Sequence, residues 1–452
     1  MKQILYNKVY PRYEAAVPGM QMTDIHERVN MDRMRKERLE RARAQMKEAG
    51  VAVMLLLSPT SIRYTTAFHT LAYGPGLSYA MVPVEGEPIV WGHGGCTIQD
   101  RRQITWMKPD NVRVQIPKVV SSPSLLTHPE ALEFMQKEFG KQIKEGLADL
   151  GMSKEVLTLD VGDGGTLTAL SKGGIKTSVR PELMWKAMEI KTQDEIECFR
   201  VLGSITDIVH YELSKYAEPG KTERELAAYM DFTAMKYGCE PTPHAFVASG
   251  QHTWPNYRNM TDKVLRPGDI FFADMIQASW CGYKSCHYRT YSCMTPPSDA
   301  AKDAMKRIVD WIFAALSECK PGNTSADMVK HWPDEGEYWG VPPEHAYGDC
   351  IFHGLGLQNY GSPYGTRMWS LKYPYELKEN MVFAISAVQI RAEVYDPVLR
   401  LLVFWTRFLS FENQVPISAV QVKQGLGRIV PVHTEKAMFQ RVREARPKDP
   451  DE

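Results

Sequence analysis

The sequence predicts an α+β protein of two domains, an α/β amino-terminal unit over residues 1–188 and a larger second unit over 189–452. Three observations predict it. Helical and strand-like patterns alternate along the first part of the chain, as in a layered α/β domain. A capping box then opens a long helix at Thr192-x-x-Glu195, marking a fresh start. Beyond it, helices and apolar strands fall into separate blocks.

In the first unit, Asp32 to Glu48 reads as a helix dense in charge, with Met34, Leu39 and Met46 beneath. Val51 to Leu57, Tyr79 to Val84 and Val156 to Asp160 read as strands, and a helical stretch lies between Pro129 and Leu150. In the second unit the helix from Thr192 runs toward Tyr216 and ends at Pro219-Gly220. Thr222-x-x-Glu225 caps the next, which stops at Gly238. Val264 to Met275 and Tyr288 to Met294 read as strands. Met305, Ile308, Ile312 and Leu316 form an apolar stripe on a helix that ends at Pro321-Gly322.

Composition bounds the function. The 452 residues are 44% hydrophobic and 24% charged, with 54 basic and 54 acidic side chains and no net formal charge. That balance leaves no footprint for nucleic acid or an anionic membrane, and it suits a small neutral or zwitterionic substrate. Met1 to Tyr13 has no apolar signal core, and no run of eighteen apolar residues follows, so a cytoplasmic protein is expected. The 8 cysteines include no C-x-x-C pair and are read as reduced thiols.

The chemistry is expected in the second unit. Arg266-Pro267-Gly268-Asp269-Ile270, Asp274, Gly282-Tyr283 and Arg289-Thr290 are followed by His353-Gly354-Leu355-Gly356, Glu379-Asn380-Met381-Val382-Phe383 and Glu412-Asn413-Gln414-Val415. In order and spacing this series resembles the pita-bread catalytic domain of the creatinase/aminopeptidase P (M24) superfamily. Among its members the dimethylsulfoniopropionate lyases and creatinase are the relatives most strongly suggested. Asp32-Arg33-Met34-Arg35 and Ser61-Ile62-Arg63-Tyr64 are similar to its creatinase-like amino-terminal domain.

The resemblance implies a cradle of two Asp, one His and two Glu around one or two divalent ions. Position by position, Asp274, His353 and Glu412 keep their places. Cys286 stands where the second Asp is expected and Ser386 where the first Glu is. Such a loss of negative charge favours a site with no catalytic metal. The alternative is one Fe, Zn or Mn ion held by Asp274, Cys286, His353 and Glu412. Between Ser386 and Glu412, Glu393 is a candidate stand-in carboxylate, and Leu401 to Trp405 is an apolar run suited to a strand or an interface.

His353, Asp274 and Glu412 are thus the catalytic candidates. His353 beside two close-approach glycines reads as functional rather than as core. Asp274 lies among apolar residues and needs a partner, for which Arg289 is the candidate. Cys286 is equally readable as a buried hydrophobe, and His287, alternating with it along a strand, is expected to point elsewhere. Arg289 or Arg258 would hold a substrate carboxylate, and Trp254, Tyr257, Tyr283 and Tyr347 would lie against an onium group, each good contact adding about 0.5 to 2 kcal/mol. His244 and His252 rank below them.

The resemblance therefore implies a small-molecule lyase or hydrolase cleaving a C–S or C–N bond by His/carboxylate chemistry, with a homodimer as the expected assembly. A metal-dependent Xaa-Pro peptidase and a non-catalytic binding descendant of the fold are the alternatives.

Overall fold

The computed structural model describes residues 29–69, 78–94, 101–102, 104–116, 127–241, 244–253, 259–333, 350–358, 360–390, 402–410 and 429–431. Contacts divide the chain into two compact units that meet in sequence at Met188 and Glu189.

The first unit runs α1 (Met31–Glu48), β1 (Val53–Leu56), α2 (Pro59–Thr66), β2 (Tyr79–Pro83), β3 (Ile89–Gly92), β4 (Val112–Val114), α3 (Pro129–Asp149), β5 (Leu157–Leu159), α4 (Gly164–Lys172) and β6 (Thr177–Val179). Its six strands form one mixed sheet in the order β4-β3-β2-β1-β5-β6. β1 pairs antiparallel with β2 and parallel with β5. All four residues of β1 are buried, which explains why the sequence shows a continuous apolar run there and not an alternating one. Phe139, Ile143 and Leu147 of α3 bury one helical face in a cluster that holds Trp91, Tyr79 and Leu55 of the sheet.

α5 (Glu182–Glu189) precedes the second unit, which opens with α6 (Gln193–Tyr216) and α7 (Glu223–Lys236). Both helices begin in reciprocal capping boxes, Thr192 with Glu195 and Thr222 with Glu225. There follow β7 (His244–Ser249), β8 (Ile270–Ile276), β9 (Ser279–Trp280), β10 (Tyr283–Lys284), β11 (Tyr288–Cys293), α8 (Asp299–Ser317), α9 (Ser325–Val329), β12 (Cys350–Gly354), β13 (Gly361–Thr366), α10 (Arg367–Lys372), β14 (Val382–Ile390), β15 (Leu402–Ser410) and β16 (Ile429–Pro431). The strands make two antiparallel four-stranded sheets, β16-β11-β8-β7 and β13-β12-β14-β15, with β9 and β10 as a small hairpin. α8 buries Met305, Ile308 and Ile312 in one cluster with Phe352, Phe383 and Ile385 of the second sheet.

The strand expected from Val264 begins only at Ile270. Pro267-Gly268 makes a turn there, with Gly268 at φ +87°, a backbone region that glycine enters without strain. The apolar run near Leu401 is a strand, β15, paired with β14 along its whole length. Among the described residues no helix is long and apolar enough to cross a membrane.

A Cβ added at Gly146 in α3 would stand 2.8 Å from the ring of Trp91, which is fully buried. Gly146→Ala gains about 1 kcal/mol of helix propensity but overpacks this seam at a cost of about 1 to 3 kcal/mol. A lower urea midpoint for the variant is expected, against the direction that propensity alone gives.

Candidate active site

β8 and β11 pair in register, Asp274 opposite Tyr288 and Ala273 opposite Arg289. On the other side of β8, Phe246 of β7 stands opposite Asp274. Since neighbours across a sheet share a face, Asp274 lies between two aromatic residues, and its residue is sealed from solvent.

A carboxyl group so enclosed needs hydrogen-bond donors. The backbone supplies one. His287 N–H donates to Asp274 Oδ1 at 3.1 Å. The ladder itself continues past this point, Met275 N–H donating to His287 O (3.1 Å) and Gln277 N–H to Ser285 O (2.9 Å). The opposing acceptor, Met275 O, is filled by the Ser285 hydroxyl at 2.5 Å. One rung of the sheet is thereby rewired from backbone to side chains. The same ladder sets Cys286 opposite Ile276 and, by strand alternation, on the face of Asp274 and Tyr288, where it is buried.

His353 lies on β12 between Tyr364 of β13 and Ala384 of β14. It is fully buried, and the ring of Tyr360 lies against its imidazole at 4.4 Å between centroids. The following residue must be glycine, because a Cβ on Gly354 would sit 2.1 Å from the backbone oxygen of Ser362. Lys284 N–H donates to Gly356 O at 2.8 Å, tying the β10–β11 segment to the loop that follows His353.

Arg289 is placed elsewhere than expected. Opposite Ala273, it leaves the sheet on the face away from Asp274 and approaches Asp207 of α6 at 3.9 Å. Alternation along a strand is the reason, since an odd and an even position cannot share a face. Tyr283 is also committed to the scaffold. Its buried hydroxyl donates to Glu195 at 2.9 Å, the carboxylate that closes the α6 capping box. His252 Nδ1 lies 3.1 Å from Glu223, a buried carboxylate that also receives Ser249 and Thr261. His244 opens β7 and Ser386 lies in β14 opposite Ile351. Trp254, Tyr257, Arg258, Tyr347, Glu393 and Glu412 lie outside the described residues.

Behind Asp274 stand His287 and Arg289, named from the sequence, with Asp207 and His210, which sequence reasoning missed. On the helix-facing side of β11, His287, Arg289 and Tyr291 meet Asp207 and His210 of α6. His210 Nε2 lies 2.8 Å from His287 O and its Nδ1 lies 2.9 Å from the Tyr291 hydroxyl. The rings of His210 and His287 meet edge to face at 4.9 Å. Because a carbonyl oxygen only accepts, His210 carries its proton on Nε2, and Nδ1 accepts from Tyr291. Burial, with the nearby Arg289 cation, holds the His210 imidazole down to about 3. The same causes, joined by His210, keep His287 well below the usual histidine range. The signal was present in the sequence: Asp207 and His210 are spaced i, i+3 on a helix, and His287, Arg289 and Tyr291 alternate on a strand.

A metal centre asks for converging donors. Of the candidate ligands, Asp274 has one oxygen already bound by a backbone N–H and stands between Phe246 and Tyr288. Among the described residues no group of three or more His, Cys, Asp and Glu side chains is gathered as an ion would require. The described donors alone do not fit a pair of dications.

Residues 38–164 match the Creatinase/Prolidase N-terminal domain and residues 197–416 match Metallopeptidase family M24. The chain belongs to the M24 creatinase/aminopeptidase superfamily. The probable dipeptidase PepE of Mycobacterium tuberculosis is 28% identical over 193 residues, 42% of this chain and 50% of that protein, so the chain spans about half the length of the first curated relatives it matches. The ectoine hydrolase of Halomonas elongata is 21% identical over 309 residues, 65% of this chain and 73% of that enzyme. Dimethylsulfoniopropionate lyase DddP of Roseovarius nubinhibens is 21% identical over 387 residues, 83% of this chain and 82% of that one. In fold, the prolidase of Thermococcus sibiricus superposes with a TM-score of 0.68 at 20% identity, covering 86% of this M24 chain and 97% of its own.

The depressed histidines set a pH dependence. In the unfolded chain each imidazole takes up a proton below about 6.5, whereas folded His210 does so only near 3. Stability is therefore complete above the unfolded value and falls with pH, by up to about 1.4 kcal/mol per pH unit for each such histidine. Urea midpoints measured from pH 8 to pH 4 are expected to drop below pH 6.5, and His210→Gln is expected to flatten the slope.

Proposed function

We propose that this M24 protein is a hydrolase or lyase that cleaves a carbon–sulfur or carbon–nitrogen bond in a small zwitterionic or onium substrate, using His353 and Asp274 and no pair of metal ions. The donor set carries the reading. On the resemblance of motifs, Asp274, engaged by the backbone, the buried thiol of Cys286 and Ser386 of β14 would take three of the positions where the superfamily pattern has acids, with Glu412 outside the described residues as the remaining carboxylate. Two dications brought into so little negative charge would repel each other without compensation.

What remains suits acid–base work. A neutral imidazole is a competent base at physiological pH. In the lyase form, the base takes the proton beside the substrate carboxylate, the released pair forms a carbon–carbon double bond, and the carbon–sulfur bond breaks with its electrons leaving on sulfur. In the hydrolase form, water gives its proton to the base as it adds to carbon, and the departing nitrogen takes a proton up. Tyr360 against His353, and Tyr364 beside it in register, present partly exposed aromatic faces that attract a cation. Similarity to an ectoine hydrolase and a dimethylsulfoniopropionate lyase supports a small charged substrate.

A metal-dependent dipeptidase or Xaa-Pro peptidase is the second reading, favoured by the likeness to PepE and to solved prolidases. It requires carboxylates from outside the described residues, Glu412 and Glu393 being the candidates.

Purified protein assayed for metal content and for turnover of dimethylsulfoniopropionate, betaines, creatine, ectoine and Xaa-Pro dipeptides, with and without added Mn, Fe and Zn, separates the two. Turnover of a small zwitterion without two equivalents of metal is expected, and His353→Gln is expected to lower kcat at least about 100-fold. Dipeptide cleavage that follows two bound equivalents would assign the protein to the second reading. Cys286→Asp combined with Ser386→Glu is expected to tighten Mn binding measured by calorimetry, because it restores two anionic donors.

A further inference from the structure

Between α6 and the β8–β11 pair, a helix–sheet seam could be filled with aliphatic side chains. Elsewhere α6 does bury aliphatics, among them Ile205, Val209 and Leu213. Here it brings Asp207 and His210 against His287, Arg289 and Tyr291, a set that costs more to desolvate than apolar packing would.

The bonds of this set converge on one residue of the backbone. His210 Nε2–H donates to His287 O at 2.8 Å, while His287 N–H donates to Asp274 Oδ1 at 3.1 Å. The two peptide groups that flank the His287 Cα are thus held from opposite faces of the sheet, one by the helix and one by the carboxylate. Arg289 takes the next carbonyl, that of Tyr288, at 2.7 Å. Tyr291, with its ring stacked on Phe271 at 4.9 Å, fixes the imidazole by donating to Nδ1 at 2.9 Å.

We infer that His210 and Tyr291 are positioning residues for Asp274, acting through the backbone of His287. Without the His210 donor, His287 O retains the Met275 N–H at 3.1 Å, and the peptide is free to tilt about that bond. The tilt of that 287–288 peptide turns the His287 Cα and, through it, the preceding 286–287 peptide, whose N–H then moves off Asp274 Oδ1, and the carboxyl group loses a contact that aims it. The catalytic consequence rests on the assignment of Asp274 to the reacting site made above, whereas the structural consequence does not.

The chain has 12 histidines, so protein labelled with ¹⁵N-histidine gives a short amide spectrum in which the His287 signal is assigned by its loss in His287→Asn. Asp274→Asn marks where that signal lies without a carboxylate acceptor. His210→Leu, which keeps bulk and removes the donor, is expected to move it toward the Asp274→Asn position, and His210→Gln, which keeps an N–H donor, to leave it near wild type. Tyr291→Phe is expected to shift it in the same direction by less, and it decides the matter if His210→Leu does not fold. A His287 amide unmoved by both His210→Leu and Tyr291→Phe would overturn the inference.

On whichever substrate is turned over, His210→Leu is expected to lower kcat about tenfold to a hundredfold, as a misplaced catalytic group does, with little change in KM and recovery in His210→Gln. Equal losses in the Leu and Gln variants would overturn the positioning role. Absence of turnover in the wild-type protein would count against the proposed function alone, since the amide shifts are read without it.

Discussion

One rung of the β8–β11 ladder organises this site. The His287 N–H, which a regular ladder would spend on Met275 O, goes to the carboxyl group of Asp274, and the Ser285 hydroxyl takes the vacated acceptor. An enclosed acid thereby gains a donor from the backbone of the neighbouring strand, on a face that it shares with Phe246 and Tyr288. The two groups displaced from the ladder, the His287 N–H and Met275 O, each keep a partner within the sheet, as buried polar groups require.

Strand alternation then sorts the rest. Even positions of β11 and the segment before it, Cys286 and Tyr288, share the face of Asp274. Odd positions, His287, Arg289 and Tyr291, meet Asp207 and His210 of the helix behind. The M24 domain thus carries Asp274 on one face of the sheet and the His210–His287 pair on the other, linked through the backbone of His287. The likeness to prolidases shows the fold.

Much of the fold was legible in the sequence because the signals were local. Two capping boxes opened α6 and α7 where Thr192 and Thr222 announced them, and the stripe on α8 faced a core as its period required. The strand before Asp274 was read too long because apolar Val264 and Leu265 outweighed the turn at Pro267-Gly268. Of the site, the sequence named Asp274 and His353, both of which the fold buries, and the structure puts His287 on the side that faces α6. The pairing of Asp274 with Arg289 was misjudged, since complementary charge suggested a contact that strand parity forbids. The Asp207–His210 cluster was missed because it is visible only when a helix period of three and a strand period of two are laid against each other.

The central claim is that Asp274 answers to the backbone of His287 and not to a pair of metal ions. Crystals grown in excess manganese, with anomalous diffraction recorded at the manganese edge, test it most directly. The account predicts the His287–Asp274 bond intact and no more than one peak on the face that Asp274 shares with Cys286. Two peaks about 3.5 to 4 Å apart, the spacing of a dinuclear centre, with Asp274 turned away from His287 to bridge them, would contradict it.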